Sequence, residues 1–177
     1  MTIFLAVVPK IAYMTVLMRL VTEQPDTLII LSGVLSIIVG SIGALNQTKL
    51  KRMLAYSAIG HMGFMLLGIG VGTYASYQAT IVYMILYIIM TINTFTMIME
   101  LNLQKIVEVR GLSRRNGMIG FTMGLGMMSI AGIPPLAGFY NKYLVIKSVV
   151  ESSLIAVSVI AVVMSVISSY YYVRLIR

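Results

Sequence analysis

The chain reads as an all-α polytopic membrane protein with about six transmembrane helices, the fifth of them broken near its middle. Three observations carry that reading. Of its 177 residues, 59% are hydrophobic and 10% are charged, against about 25% charged in a soluble domain. The apolar residues fall into six stretches, each near the length of about 20 residues that a bilayer core requires. The basic residues gather in the short segments between those stretches, where membrane topology places them.

Taken in order, the stretches are 2–20, 28–46, 52–71, 77–103, 117–149 and 153–175. The fifth is too long for one straight helix, since its roughly 33 residues would reach about 50 Å across a core of about 30 Å. Gly132-Ile133-Pro134-Pro135 stands at its middle. Proline removes a backbone donor and breaks or kinks a helix. The segment therefore reads as two half-helices joined by a non-helical break, with a simple proline kink as the alternative. Irregular backbone at membrane depth survives where it is buried in protein or lines a watery cavity.

Composition closes off several classes. There is no cysteine, which excludes disulfides and thiolate metal sites. One histidine and five acids leave little material for any metal centre. The net charge of +8 is explained by loop topology better than by a nucleic-acid partner. The chain opens MTIFLAVVPK, directly into an apolar run, with neither a basic n-region nor an Arg/Ser-rich start. Gly68, Gly70 and Gly72 end a span and follow no strand, so they are not a nucleotide fingerprint. No Walker motif and no nucleophile–histidine–acid set is present.

Loop charges orient the spans. The side holding the N-terminus, side A, carries Lys49, Lys51, Arg52, Lys105, Arg110, Arg114, Arg115, Arg174 and Arg177, with Glu108 as its acid. Side B carries Arg19, Glu23, Asp26, Lys147 and Glu151. That bias makes side A the cytoplasmic side or its equivalent, the mitochondrial matrix, with both termini on it.

Against this background two lysines stand out. Lys10 (in VVPKIA) and Lys142 (in IPPLAGFYNK) each lie inside an apolar stretch beside proline. A lysine near the bilayer centre costs roughly 2.5–3.5 kcal/mol on insertion scales, so the pairing points to an ion or proton path. Snorkelling of the stem to the headgroups is the plain alternative. It suits Lys10 better than Lys142, and Lys147, near its span's end, best. A third group is Lys51, Arg52, Tyr56, Ser57 and His61. Ser57 and His61, at i and i+4, share a helix face. An imidazole passes protons near neutral pH, its unperturbed pKa being about 6.5; a neutral histidine satisfied by a neighbouring hydroxyl is the equal alternative. Glu100, in the last turn of the fourth span, reads as facing water or pairing with Lys105. Tyr170, Tyr171 and Tyr172 with Arg174 read as an interfacial belt. Gly120, Gly124 and Gly126 read as a face for close helix packing, as do Ser165, Ser168 and Ser169.

The strings LNQTKLKRMLAYSAIGHMGFMLLG and SIAGIPPLAGFYNKYLVI resemble the signature of proton-pumping NADH dehydrogenase membrane subunits, and their separation fits. With lysine rather than glutamate after the break, the second is most similar to subunit 2 of that family, as is the opening FLAVVPKIA. The resemblance covers nearly the whole chain. It implies a membrane-arm subunit of respiratory complex I in the mitochondrial inner membrane, without a cofactor of its own. FMN, iron–sulfur clusters and the NADH site then belong to other subunits.

Such subunits have two inverted five-helix repeats, each with a broken helix. On that pattern the chain is a single membrane domain, 1–177, in which 2–20 is the last helix of the first repeat and 28–175 is the second repeat. The acid and lysine of the first repeat would lie upstream of Met1, and the final helix after the second repeat would be missing. A separate polypeptide supplying the first repeat is then the expected partner, beside the other membrane-arm subunits and lipid. Lys10 matches the central lysine and Lys142 the lysine of the second broken helix. The implied mechanism alternates protonation of Lys10 and Lys142 through bound water. His61 belongs to the proton relay with them, Lys51, Tyr56 and Ser57 are supporting residues, and the break at Pro134 and Pro135 frees backbone groups. A structural assembly subunit and a subunit of a cation/proton antiporter complex are the competing readings.

Overall fold

The computed structural model describes residues 2–21, 25–101, 105–109 and 117–176. Seven α-helices follow one another there: α1 (Thr2–Leu20), α2 (Thr27–Leu45), α3 (Leu50–Val71), α4 (Tyr74–Glu100), α5 (Gly117–Ala131), α6 (Ala137–Glu151) and α7 (Ile155–Ile176). A 3-10 turn, Ile106–Val109, precedes α5. The boundaries match the six apolar stretches to within a few residues, and the fifth stretch is the pair α5 and α6. Helices α2, α3, α4 and α7 are each long and apolar enough to cross a membrane. α5 and α6 have 15 residues each, about 22 Å, so they serve as two half-spans.

Local chemistry sets the helix ends. Asp26 caps α2 by accepting from the backbone N–H of Leu28 (2.9 Å) and Ile29 (3.4 Å), which satisfies donors a helix start leaves free. Thr73 and Ser76 form a reciprocal capping box at the start of α4. Gly72 ends α3 at φ 72°, a left-handed conformation that glycine adopts at no steric cost.

Successive connections lie at opposite ends of the bundle. At one end the Asp26 N–H donates to the Gly70 carbonyl (2.9 Å), and the Tyr77 hydroxyl donates to Val21 O (3.5 Å). At the other the Ile106 N–H donates to Thr48 O (3.2 Å), Lys49 pairs with Lys105 in an isolated bridge, and Arg174 donates to Leu45 O (3.5 Å). The second end gathers the side-A bases and is called end A; the first is end B. Of the loop charges used to orient the spans, Glu23, Arg110, Arg114, Arg115 and Arg177 lie outside the described residues.

α2 and α3 are the closest-packed pair, backbone on backbone. A Cβ placed on Gly40 would stand 2.5 Å from the Gly60 nitrogen, and one on Gly63 would stand 2.7 Å from Gly33 O. Small residues permit that approach. The glycine face expected on α5 is a weaker contact: Gly126 meets Asn93 and Thr94 at 3.2 and 3.3 Å, but a Cβ on Gly124 would meet nothing within 4 Å. Outward faces carry large apolar side chains. Leu28, Leu31, Leu35, Val39 and Ile42 are all exposed along one stripe of α2, as a lipid-facing helix requires.

The interior divides into two apolar clusters. The cluster toward end B includes Phe64, Leu67, Tyr83 and Val145. The cluster toward end A includes Leu50, Met53, Met127 and Tyr172. On α3 the change falls between Leu54 and Phe64, and on α4 between Tyr87 and Met90. The buried Ser57 and His61 sit at that level on α3, so the polar side chains form a layer between two apolar halves. One expectation is corrected here. Tyr170 is exposed, but Tyr171 and Tyr172 are buried. Their rings pack 4.5 Å apart, and Tyr172 hydrogen-bonds Ser57. Three consecutive residues of a helix point in three directions, so at most part of such a run can form a belt.

Candidate functional site

The site begins where α5 ends. Pro134 and Pro135 bring no N–H, so the carbonyls of the last turn of α5 lose helical partners. Gly132 turns the chain at φ 84°, bonding back from its N–H to Met128 O (3.2 Å) and Ser129 O (3.0 Å). α6 then starts so close that a Cβ on Gly138 would overlap the Ser129 carbonyl. This close return places Lys142, in the second turn of α6, back beside the break.

Lys142 is 6% exposed. Its ammonium donates to the Ala131 carbonyl at 2.8 Å and lies 3.5 Å from the Ser168 hydroxyl of α7. Gly132 must be glycine on two counts, because its φ is left-handed and a Cβ there would come within 3.2 Å of the Lys142 Nζ. An ammonium has three N–H groups, two of which are directed to these oxygens. Among the described residues no carboxylate pairs with Lys142; the ion pair seen there is Lys147 with Glu151, at 3.8 Å and exposed. The lysine also lines a cavity of about 420 Å³ between the break and α7, together with Gly132, Pro134, Ser165 and Ser169.

On the other flank of Lys142, 5.8 Å from its Nζ, stands the Phe64 ring, itself stacked on Tyr83 at 6.2 Å. The Tyr83 hydroxyl is 2.8 Å from His61 Nδ1. The His61 ring lies 5.2 Å from that of Tyr87, and the Lys10 Nζ lies 5.9 Å from the Tyr87 ring. The order across the bundle is therefore Lys10, Tyr87, His61, Tyr83, Phe64, Lys142. A small void of about 10 Å³ touches Lys10 and Tyr87, which is about the space one water needs.

The sequence-derived candidates divide. Lys10, His61 and Lys142 belong to one layer. Ser57 joins it through a hydrogen bond to Tyr172, whose ring packs on that of Tyr171. Pro134 and Pro135 form the break. Tyr56 departs from expectation: it lies against Gly43 of α2, where a Cβ would come within 2.5 Å of its ring, so it points away from His61. Lys51 and Arg52 are exposed at the start of α3, outside the layer. Sequence reasoning missed Tyr83, Tyr87, Phe64, Asn141 and the Ala131 carbonyl. Tyr83 and Tyr87, a buried tyrosine pair at i and i+4 in an apolar span, left a readable signal.

Residues 1–168 match the family model described as NADH:quinone oxidoreductase/Mrp antiporter, transmembrane. The chain belongs to this family. It is 43% identical to NADH-ubiquinone oxidoreductase chain 2 of Metridium senile, over 99% of this chain and 46% of that one. The fold is similar to a chain of respiratory complex I from Thermus thermophilus (TM-score 0.75, 35% identity, 82% of this chain and 34% of that one). It is likewise similar to a chain of the membrane-bound sulfane sulfur reductase, an archaeal respiratory membrane complex (TM-score 0.78, 27% identity, 84% of this chain and 31% of that one). The chain thus spans less than half the length of these relatives. The stretch that matches the antiporter family includes Lys10, His61 and Lys142.

Proposed function

We propose that this chain is a proton-conducting membrane-arm unit of respiratory complex I, with Lys10, His61 and Lys142 as its proton-carrying groups. One observation carries the reading: Lys142 is buried with no carboxylate partner among the described residues, and it is held by a carbonyl that the helix break sets free. A lysine stabilised by an ion pair would hold its proton. One held by a neutral carbonyl and a hydroxyl, beside a cavity, can give it up and take it back.

Protonation would alternate between Lys10 and Lys142, by way of Tyr87, His61 and Tyr83 and through water. Phe64 interrupts direct hydrogen bonding between the two halves of that row. From Lys142, the hydroxyls of Ser168, Tyr171, Tyr172 and Ser57 lead toward end A. The catalytic role of the chain is thus ion transport within an NADH:ubiquinone reductase whose flavin, iron–sulfur clusters and NADH site lie in other subunits. The likeness to the Metridium chain supports a place in the mitochondrial inner membrane, and the basic bias supports end A in the matrix. The exposed Tyr13, Val16 and Leu20 of α1 support contact with a further repeat of the same kind.

The test is Lys142→Ala in the assembled complex, reading protons moved per electron in sealed vesicles. A lowered ratio with intact assembly supports conduction. An unchanged ratio with poor assembly would instead make the chain a structural subunit, and sodium-dependent transport without NADH oxidation would make it part of an antiporter complex.

A further inference from the structure

Asn141 precedes Lys142 and is 1% exposed. Both polar atoms of its amide, Oδ1 and Nδ2, are buried and have no hydrogen-bond partner among the described residues. Leaving a buried donor and a buried acceptor unpaired on one side chain is costly, and native interiors meet such groups with ordered water when protein does not.

The place of Asn141 on α6 gives that water a direction. Ser148 lies seven residues on, two turns along the same face and about 10 Å toward end B. It is buried and bonds its own helix, donating to Val145 O at 2.8 Å, which leaves its oxygen free to accept. Ser148 also lines a cavity of about 280 Å³ between α4 and α6, with Gln78, Tyr140, Leu144, Lys147 and Glu151. The exposed Lys147–Glu151 pair marks its mouth as polar. Asn141, next to Lys142 in the chain, therefore shares a face of α6 with a residue that lines a polar cavity toward end B.

We propose that Asn141 is a positioning residue that holds the first water of a short buried chain running from beside Lys142 toward the α4–α6 cavity. An amide does not ionise, but it donates and accepts, so it fixes a water in both senses. A proton leaving the Lys142 ammonium passes to that water and onward along O–H bonds toward end B. Only N–H and O–H bonds form and break, and Lys142 is left neutral, to be reprotonated from the His61 side. The inference rests on the proton-conducting reading for its purpose, but the water site does not.

The test uses the complete assembly in three forms: parent, Asn141→Leu, of similar volume and apolar, and Asn141→Ser, polar with room for an added water. Density maps that resolve waters should show one within hydrogen-bonding distance of the amide in the parent and none in Asn141→Leu. Proton-coupled turnover in sealed vesicles should fall several-fold in Asn141→Leu and return in Asn141→Ser. An amide bonded directly to protein groups would overturn the proposal, as would an assembled Asn141→Leu form with parental turnover. Should the leucine form fail to assemble, the parent density and the serine form decide. Lys142→Ala run alongside separates the two ideas. If it too pumps normally, the conduction reading fails; if it alone is impaired, only the role of Asn141 falls.

Discussion

Two lysines at the same level of one bundle are held in opposite ways. Lys142 sits in a site this chain completes: a carbonyl freed by the helix break, a serine from α7, and a glycine that leaves room for the ammonium. Lys10 is only half-buried, on a helix that touches α3 and α4 alone among the larger contacts. Among the described residues, the environment given for its ammonium is the Tyr87 ring at 5.9 Å. The difference teaches that this chain supplies the surroundings of Lys142 itself, while it leaves Lys10 partly uncovered. A self-contained site should fail sharply when its own parts are changed. A shared one should be insensitive within this chain and sensitive only in the assembly.

The largest effect is expected at Lys142. Lys142→Met keeps the stem and removes the ammonium. Assembly should persist, and proton-coupled turnover should fall by about a hundredfold, the low end of what a positioned proton-transfer group contributes. Vesicles reading proton uptake against NADH oxidation would show it. Parental turnover in an assembled variant would end the claim that this site carries protons.

Next in size is damage to the close return of α6 onto α5. Gly138→Ala drives a methyl group into the Ser129 carbonyl, which backbone cannot yield cheaply. The expected loss is about 1–3 kcal/mol or more, read as a lowered thermal midpoint of the solubilised complex. Gly132→Ala should cost about 1–2 kcal/mol from its left-handed φ, and it also crowds the Lys142 ammonium, so turnover should drop further than stability implies. If both alanine variants lost stability and turnover in the same proportion, the break would be only a packing feature.

Much of this was legible beforehand, for physical reasons. Span lengths follow from apolar runs against bilayer thickness, and the break follows from glycine and paired prolines in a stretch too long to be one helix. Lys10, His61 and Lys142 were visible because charge and imidazole are expensive in lipid. Tyr83 and Asn141 were not, because a tyrosine or an asparagine is ordinary in sequence and becomes telling only through what surrounds it. The Ala131 carbonyl has no sequence signature at all, since every residue carries one. Tyr56 was grouped with His61 by the motif, although spacing on a helix already sets the two apart while it brings Ser57 and His61 together. The glycines of α2 and α3 were passed over for those of α5. Spacing on one helix cannot reveal close packing, which needs a matching small residue on the facing one.

The smallest stability effect, and the sharpest test of the contrast, is expected at Lys10. Lys10→Ala removes no hydrogen bond seen among the described residues and frees a half-exposed stem. The stability should change by no more than about 0.5 kcal/mol, as with surface substitutions, leaving the thermal midpoint of the solubilised complex nearly unmoved. Turnover in the complete assembly should nonetheless fall, because Lys10 heads the row that runs through Tyr87 and His61 to Lys142. The two readouts therefore part company at Lys10 and not at Gly138. If Lys10→Ala destabilised the chain as strongly as Gly138→Ala does, Lys10 would be packed by this chain after all, and the two lysines would differ in degree rather than in kind.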